Sequence, residues 1–419
     1  MKKIGVVGLG KLGLPLAALF ANEGHAVTAY DKNEDLMTAL RIGTYKTAEP
    51  RLLESLKNAA KNLTLVNNIE EVVTTSDLIF IIVPTPSLIS GEFSNEYLIE
   101  VLHEIGNSIR NRTRPIVVDI VSTVMPGSCD GLLRGTLEES SNKKIGSLLG
   151  LCYNPEFIAL GSVIHDMQYP DMLLIGESDA WAGDVVEDAL RTITKNSPTS
   201  RRMSLIEAEL VKIAINNFVT MKISYANGLF QVAQRLGGID IDIVTDAIGL
   251  DSRIGRKYLK GAAPYGGPCF PRDTRALSFL YAQLGLSDAL SRATEEINDE
   301  HVEFVSQLVR DKANAIKNIG ILGVSYKAGT PVIEESPGVA IAQHFINQKF
   351  NVYSYDDEGA AVPGQYSNYT ICGDLVDLFG MCDLVVITRL FDNPDLLYTE
   401  LIKSNVQYID LWRQFPLKH

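Results

Sequence analysis

Ile4-Gly5-Val6-Val7-Gly8-Leu9-Gly10-Lys11-Leu12-Gly13, then an apolar stretch from Leu14 to Glu23, then Ala26-Val27-Thr28-Ala29-Tyr30-Asp31, decides the fold. A short apolar run enters a Gly-x-Gly-x-x-Gly turn, a helix follows, Gly24-His25 ends it, and a second strand closes on an acid. This is the opening of a doubly wound nucleotide-binding sheet. Gly8 makes the tight turn, Gly10 lets the backbone approach a pyrophosphate, Gly13 lets helix and strand pack, and the helix N-terminus faces phosphate. Asp31 is set to accept hydrogen bonds from the adenosine ribose hydroxyls, and a 2′-phosphate would meet its charge. NAD is therefore expected, with Lys32 keeping NADP open. The bland alternative is a glycine-rich turn that holds no nucleotide.

Downstream, Asp77-Leu78-Ile79-Phe80-Ile81-Ile82-Val83 is a continuous apolar run that stops at Pro84-Thr85-Pro86, as strands buried in parallel sheets do. Pro115 to Val121 repeats the device and ends at Ser122-Thr123-Val124-Met125-Pro126-Gly127. Ligands of such sheets lie beyond the carboxyl ends of strands, so Thr85 and Thr123 are placed to touch cofactor or substrate. Leu149 to Tyr153 runs into Asn154-Pro155-Glu156-Phe157, which sets Glu156 at the same edge, although strand-end polar residues more often solvate a loop.

From Ser204 to Asn227 there is neither Gly nor Pro across 24 residues, enough for a helix of roughly 36 Å. Ser204 and Glu207 make a capping box at its start. Lys212 and Asn216 share one face of it. The default is a solvated lysine on a polar stripe. Here Val211, Ile213, Ala214, Ile215, Phe218 and Val219 leave little polar face, and a buried lysine is costly without partners.

Tyr265-Gly266-Gly267-Pro268-Cys269-Phe270-Pro271-Arg272-Asp273 joins a hinge-like backbone to a thiol and a carboxylate. With a helix starting after Pro271, Asp273 faces the sulfur across one turn, a nucleophile and base pair. Against this, Gly-Gly-Pro is a common turn and single cysteines are most often small buried hydrophobes. Ser291 to Ile316 is mostly helical. From Asn318 a second alternating α/β unit begins, with strands at Ile319 to Leu322, Val352 to Tyr355, Leu384 to Ile387 and Val406 to Ile409. It carries no Gly-x-Gly-x-x-Gly, so its ligand need not be a dinucleotide.

A chain of 419 residues with 46% hydrophobic content suggests two or three domains. The net charge of −13 argues against general affinity for nucleic acid or an anionic membrane. Cys129, Cys152, Cys269, Cys372 and Cys382 are widely spaced without a CxxC pair, so neither a disulfide framework nor a metal site is expected, and a reducing cytoplasm is. No apolar run approaches the roughly 20 residues needed to span a bilayer.

Taken together, these segments resemble the UDP-glucose/GDP-mannose dehydrogenase family, in order over nearly the whole chain. The resemblance rests on Gly8, Gly10 and Gly13; Val83-Pro84-Thr85-Pro86; Ser122-Thr123 with Pro126-Gly127; Asn154-Pro155-Glu156-Phe157; Lys212 with Asn216; Arg253-Ile254-Gly255; Gly266-Gly267 with Cys269-Phe270-Pro271 and Asp273; and Tyr326-Lys327 with Glu335-Ser336-Pro337. It implies an α/β protein of two Rossmann-like doubly wound domains joined by a long central helix and helical region: an NAD-binding domain over 1–200, a central dimerising domain with the cysteine loop over 201–312, and a nucleotide-sugar domain over 313–419. It further implies a homodimer and two NAD-dependent oxidations of the C6 alcohol of a nucleotide sugar. Cys269 would form a thiohemiacetal and then a thioester, with Asp273 as base or water-positioning group, Glu156 and Thr123 assisting, and Lys212 and Asn216 on the oxyanion. The cofactor set is then Gly8, Gly10, Leu12, Gly13, Asp31, Thr85 and Thr123. The substrate set is Phe157, Lys212, Asn216, Arg253, Tyr265, Gly266 and Lys327, with Arg253 reaching the neighbouring subunit's substrate.

The chain departs from the family pattern at Leu160, Glu334, Arg272 and Trp412, which leaves the sugar and the nucleotide base open. Two other readings stand beside the double oxidation: a single-step alcohol dehydrogenase with no use for Cys269, and a noncatalytic nucleotide-sugar binding protein.

Overall fold

The computed structural model describes residues 1–146, 148–312 and 316–415. The chain divides into two compact units, Met1–Ile213 and Ala214–His419. The expected boundary at 313 lies outside the described residues; the helix expected to reach Ile316 is assigned to Lys312, and Ile316 itself is not helical.

The first unit is built on eight strands: β1 (Lys3–Val7), β2 (Ala26–Tyr30), β3 (Leu63–Leu65), β4 (Leu78–Ile81), β5 (Ile116–Ile120), β6 (Leu149–Tyr153), β7 (Met172–Glu177) and β8 (Thr199–Met203). They lie in the order β3-β2-β1-β4-β5-β6-β7-β8. Every pairing is parallel except β6 with β7. The order reverses between β1 and β4, and there the Gly8–Gly13 loop emerges. Strand alternation divides the apolar residues between two cores. Leu78 and Phe80 join the layer under helix Gly13–Asn22, where Phe80 stacks on Phe20 at 5.1 Å, while Ile79 and Ile81 join the opposite layer. Burial on both faces is why β4 reads as an unbroken apolar run.

Asp119 breaks this pattern. It is fully buried in β5 between Phe80 of β4 and Cys152 of β6, and among the described residues neither carboxylate oxygen has a hydrogen-bond partner. Burial pushes its pKa well up, and the charge of Glu156 adds to the shift.

The second unit carries a parallel sheet of β9 (Asn318–Leu322), β10 (Asn351–Tyr355), β11 (Tyr369–Ile371), β12 (Leu384–Ile387) and β13 (Gln407–Asp410), in the order β11-β10-β9-β12-β13. This is again a doubly wound order. Its helical part includes Ile241–Leu250, Phe270–Gln283 and Ala289–Lys312.

The long helix runs from Leu205 to Leu236, 32 residues, further than the glycine-free span suggests. Gly228 costs about 1 kcal/mol inside a helix, a cost outweighed by buried neighbours such as Ala226 and Phe230. The stop is Gly237-Gly238, both with positive φ. At the other end Glu207 accepts hydrogen bonds from the Ser204 amide at 2.8 Å and from its hydroxyl at 2.7 Å. Helix Phe270–Gln283 starts two residues earlier than expected, with Pro271 inside its first turn. Among the described residues, no helix is long and apolar enough to cross a membrane.

Candidate active site

In the first unit the glycine loop has the geometry that its spacing requires. Gly8 has φ +94°, and its amide donates to Tyr30 O at 2.9 Å. A Cβ at Gly13 would lie 1.8 Å from Gly8 O, so helix and strand could not pack as they do around any larger residue. A Cβ at Gly10 would have no neighbour within 4 Å, so the loop is open on that side. The first helix has no side-chain cap at Leu12, leaving its N-terminal dipole available to an anion. Asp31 accepts from the amides of Leu9 at 2.7 Å and Asn33 at 2.8 Å, which fixes the acid at the end of β2. These residues fit a dinucleotide. Lys32, largely exposed, lies 4.1 Å over the ring of Tyr97 and 3.8 Å from Glu100.

At the carboxyl ends of β4 and β5 the Thr85 hydroxyl donates to Thr123 O at 2.7 Å. Beside it, the Ser122 hydroxyl accepts from Val83 N at 2.9 Å and donates to Val83 O at 2.7 Å. Ser122 thus staples the two strand ends. Beyond β6, Lys212 is buried, with Nζ donating to Glu156 O at 2.6 Å and lying 4.7 Å over the Phe157 ring. These contacts meet the cost of burying it. The half-buried Glu156 carboxyl is pushed up to about 7 by desolvation, against the pull of the Lys212 ammonium.

Two acids that the sequence reading leaves out hold the loops of this edge. Glu209, fully buried and one turn before Lys212, accepts from Gly127 N at 2.6 Å and Cys129 N at 2.7 Å. Glu49 accepts from Gly161 N at 2.9 Å and Ile164 N at 3.3 Å, so a carboxylate from a distant loop secures the segment that departs at Leu160. A buried acid three residues before a buried lysine was a signal for Glu209. Nothing local points to Glu49.

In the second unit Cys269 is the N-cap residue of helix Phe270–Gln283 and the exposed member of the five cysteines. The Asp273 amide donates to Cys269 O at 2.9 Å, one turn on. Asp273 itself is fully buried, accepting from Asn216 Nδ2 at 2.6 Å and Arg272 Nε at 3.1 Å. Asn216, expected on an oxyanion, therefore spends one donor on Asp273.

The loop before the cysteine is gripped along its backbone. Asn227 accepts from Ala262 N at 2.8 Å and donates to Ala263 O at 3.2 Å. Asn298 accepts from Tyr265 N at 2.7 Å and donates to Tyr265 O at 3.1 Å. His301, lowered to about 4 by burial and so neutral, has Nε2 at 2.7 Å from Ala262 O. Gly267, at φ +84°, donates to Glu335 O at 3.2 Å. Lys327 lies 6.0 Å over the Tyr326 ring, and Arg253 is exposed and paired with Asp251 at 2.6 Å. Trp412 donates to Thr388 O at 2.8 Å, bracing the end of β12.

The second sheet repeats the turn of the first without its motif. Gly323, at φ +99°, donates to Tyr355 O at 3.0 Å, as Gly8 does to Tyr30. Asp356, at the place of Asp31, accepts from Val324 N at 2.6 Å, Ser325 N at 2.8 Å and Ser325 Oγ at 2.9 Å. A Cβ at Gly338 would lie 2.2 Å from Gly323 O, the counterpart of Gly13 against Gly8. Among the described residues, no group of three or more His, Cys, Asp or Glu side chains could hold a metal ion.

A dinucleotide loop on one doubly wound sheet and its relative on another define the class, an NAD-binding α/β dehydrogenase. Three domain models of one family match in order: the NAD binding domain over residues 2–194, the central domain over 206–300 and the UDP binding domain over 320–409. The UDP-glucose 6-dehydrogenase of Haloferax volcanii is 30% identical over 358 residues, covering 84% of this chain and 83% of its own. The GDP-mannose 6-dehydrogenase of Pseudomonas aeruginosa is 29% identical, covering 98% and 96%. The structure of a UDP-glucose dehydrogenase from Pyrobaculum islandicum superposes with a TM-score of 0.86 at 33% identity, over 93% of this chain and 90% of that one. The chain belongs to the UDP-glucose/GDP-mannose dehydrogenase family, and NAD is its cofactor.

Proposed function

We propose that the protein oxidises the C6 alcohol of a UDP-glucose-like nucleotide sugar to the carboxylate in two steps, with Cys269 as the covalent nucleophile. The observation that carries this reading is the exposed Cys269 at the head of a helix that buries Asp273 against Asn216 and Arg272. Bound NAD supplies the hydride acceptor for each oxidation, at the Gly8–Gly13 loop and Asp31, with Thr85 and Thr123 beside it. Lys212 and Asn216 stabilise the oxyanion. The Cys269 thiolate adds to the intermediate aldehyde, giving a thiohemiacetal, and loss of hydride from that adduct leaves a thioester. Water adds to the thioester carbon, the thiolate leaves, and the carboxylate is released. Asp273 takes or positions the water proton, with Glu156 and Thr123 assisting through an ordered water. A carboxyl near 7 suits that proton exchange at neutral pH. Phe157, Arg253, Tyr265, Gly266 and Lys327 hold the nucleotide sugar.

The test is the NADH formed per nucleotide sugar consumed, across UDP-glucose, UDP-N-acetylhexosamines and GDP-mannose. Two equivalents are expected with one of these sugars, and Cys269→Ser should abolish acid formation. Two equivalents from the serine variant would sink the covalent route. One equivalent from the unaltered protein would favour a single-step dehydrogenase, and binding without NADH a noncatalytic one.

A further inference from the structure

The segment that follows β9 at the carboxyl edge of the second sheet presses on the cysteine loop through its backbone. A Cβ at Gly266 would lie 2.0 Å from Glu335 O, and one at Gly267 would lie 2.5 Å from the Tyr326 ring. Gly267 N donates to that same Glu335 carbonyl at 3.2 Å. Glu335 has φ +49°, a left-handed conformation that is strained for a residue with a side chain and persists only where its surroundings hold it. Its side chain is held by an ion pair. The Glu335 carboxylate meets Arg275 at 2.8 Å, and Arg275 also pairs with Glu295 of helix Ala289–Lys312. Arg275 stands on helix Phe270–Gln283, six residues beyond Cys269.

An ion pair adds to the packing at this contact. A cavity of about 320 Å³ lies there, walled by Tyr265, Pro271, Arg275, Glu335 and Pro337. Beside this cavity the Arg275 ion pair and the Glu335 carbonyl both bear on the Gly-Gly hinge. The same segment carries Lys327 and leaves β9 where ligands of doubly wound sheets bind.

We propose that Glu335, clamped by Arg275, is a positioning residue for Cys269, joining the loop at the second sheet's ligand edge to the hinge that aims the nucleophile. The proposal rests on Cys269 being the nucleophile, and it is tested by a readout that needs no turnover. Glu335→Ala and Arg275→Gln remove the clamp from either side, and Glu335→Gln keeps an acceptor for Arg275. The rate of Cys269 alkylation by iodoacetamide, located by peptide mass spectrometry, should change severalfold in the first two variants and stay near the original in Glu335→Gln. In steady state, kcat should fall about tenfold or more with KM nearly constant, because a displacement of about 1 Å misaligns attack without removing a binding contact. Melting temperatures separate misfolding from misalignment, and two clamp variants guard against one that fails to fold. Unchanged alkylation in both folded variants overturns the proposal, as does a KM rise without a fall in kcat. A Cys269→Ser enzyme that still makes acid would instead remove the catalytic reading and leave the alkylation result standing.

Discussion

Asp119 is the residue least suited to its strand, an acid among Val117, Val118, Ile120 and Val121 with no partner for either oxygen among the described residues. In the sequence it passes for part of an apolar run, because nothing local shows that both flanking strands bury its neighbours. Its pKa is raised in the folded chain, so the sign of its effect on stability follows by linkage. Below the ordinary carboxyl value of about 4, folded and unfolded chains both hold the proton and the group costs no ionisation energy. As pH rises above that value the unfolded chain loses its proton first, so stability is lost progressively up to the raised folded pKa. Replacing the acid by a β-branched apolar residue removes that penalty, along with the unmet hydrogen bonds, on the order of 2 kcal/mol. Asp119→Val should therefore raise the melting temperature, and raise it more at pH 8 than at pH 4.5. Equal gains at the two pH values, or a loss at pH 8, would mean that the carboxylate is ionised and compensated.

At the scale of elements, the strands most legible in the sequence are those buried on both faces, β4, β5, β6, β9 and β12, because double burial writes itself as an apolar run. The omitted β3, β8 and β11 are the outer strands of their sheets; β8 reads Thr199-Ser200-Arg201-Arg202-Met203, with one edge facing water. β7, Met172 to Glu177, satisfies the same criterion as β4, and the sequence reading omits it. The catalytic candidates were legible because thiol, carboxylate, lysine and amide are rare in apolar or glycine-rich settings. Glu49 was not, because it binds amides 112 and 115 residues away. The glycine device of the second sheet was hidden by insertion: Gly8 and Gly13 stand five residues apart, Gly323 and Gly338 fifteen. Since a Cβ meets a carbonyl at 1.8 Å in one case and 2.2 Å in the other, the same substitution should injure each loop in turn. By titration calorimetry, Gly13→Ala should weaken NAD binding about tenfold or more and spare UDP, and Gly338→Ala the reverse, each carbonyl shift spoiling a preorganised loop. Loss of both ligands in both variants would mean that the loops do not act locally.

At the scale of the whole molecule, the part of the long helix in the second unit is amphipathic in the wrong sense for a lone chain. Its buried stripe carries polar residues from Asn217 to Asn227: Asn217 bonds Ser291 at 3.2 Å, Thr220 bonds Thr274 at 3.0 Å, Ser224 bonds Thr294 O at 2.7 Å, and Asn227 holds the cysteine loop. Its outer stripe is apolar, with Phe218, Tyr225 and Val232 each more than half exposed at seven-residue spacing. Helix Ile241–Leu250 adds Ile243 and Leu250, exposed by 70% and 67% and again seven apart. A face of this kind marks an association surface. The polar stripe cannot be exchanged with it, because those amides and hydroxyls are spent on the loop and on neighbouring helices. We propose that a second copy covers the apolar stripe, since seven-residue spacing along a straight helix suits packing against its own symmetric partner. Light scattering after size exclusion should then give the mass of two chains. Phe218→Glu with Tyr225→Glu should shift the protein to one chain by placing four carboxylates in the paired interface. A single-chain mass for the unaltered protein at micromolar concentration would leave the stripe to some other partner, and a two-chain mass for the double variant would move the interface elsewhere. If the Arg253 expectation also holds, mixing that monomeric variant with an Arg253→Ala chain should restore no activity, because the altered chain cannot pair with the Arg253→Ala chain to lend it an arginine.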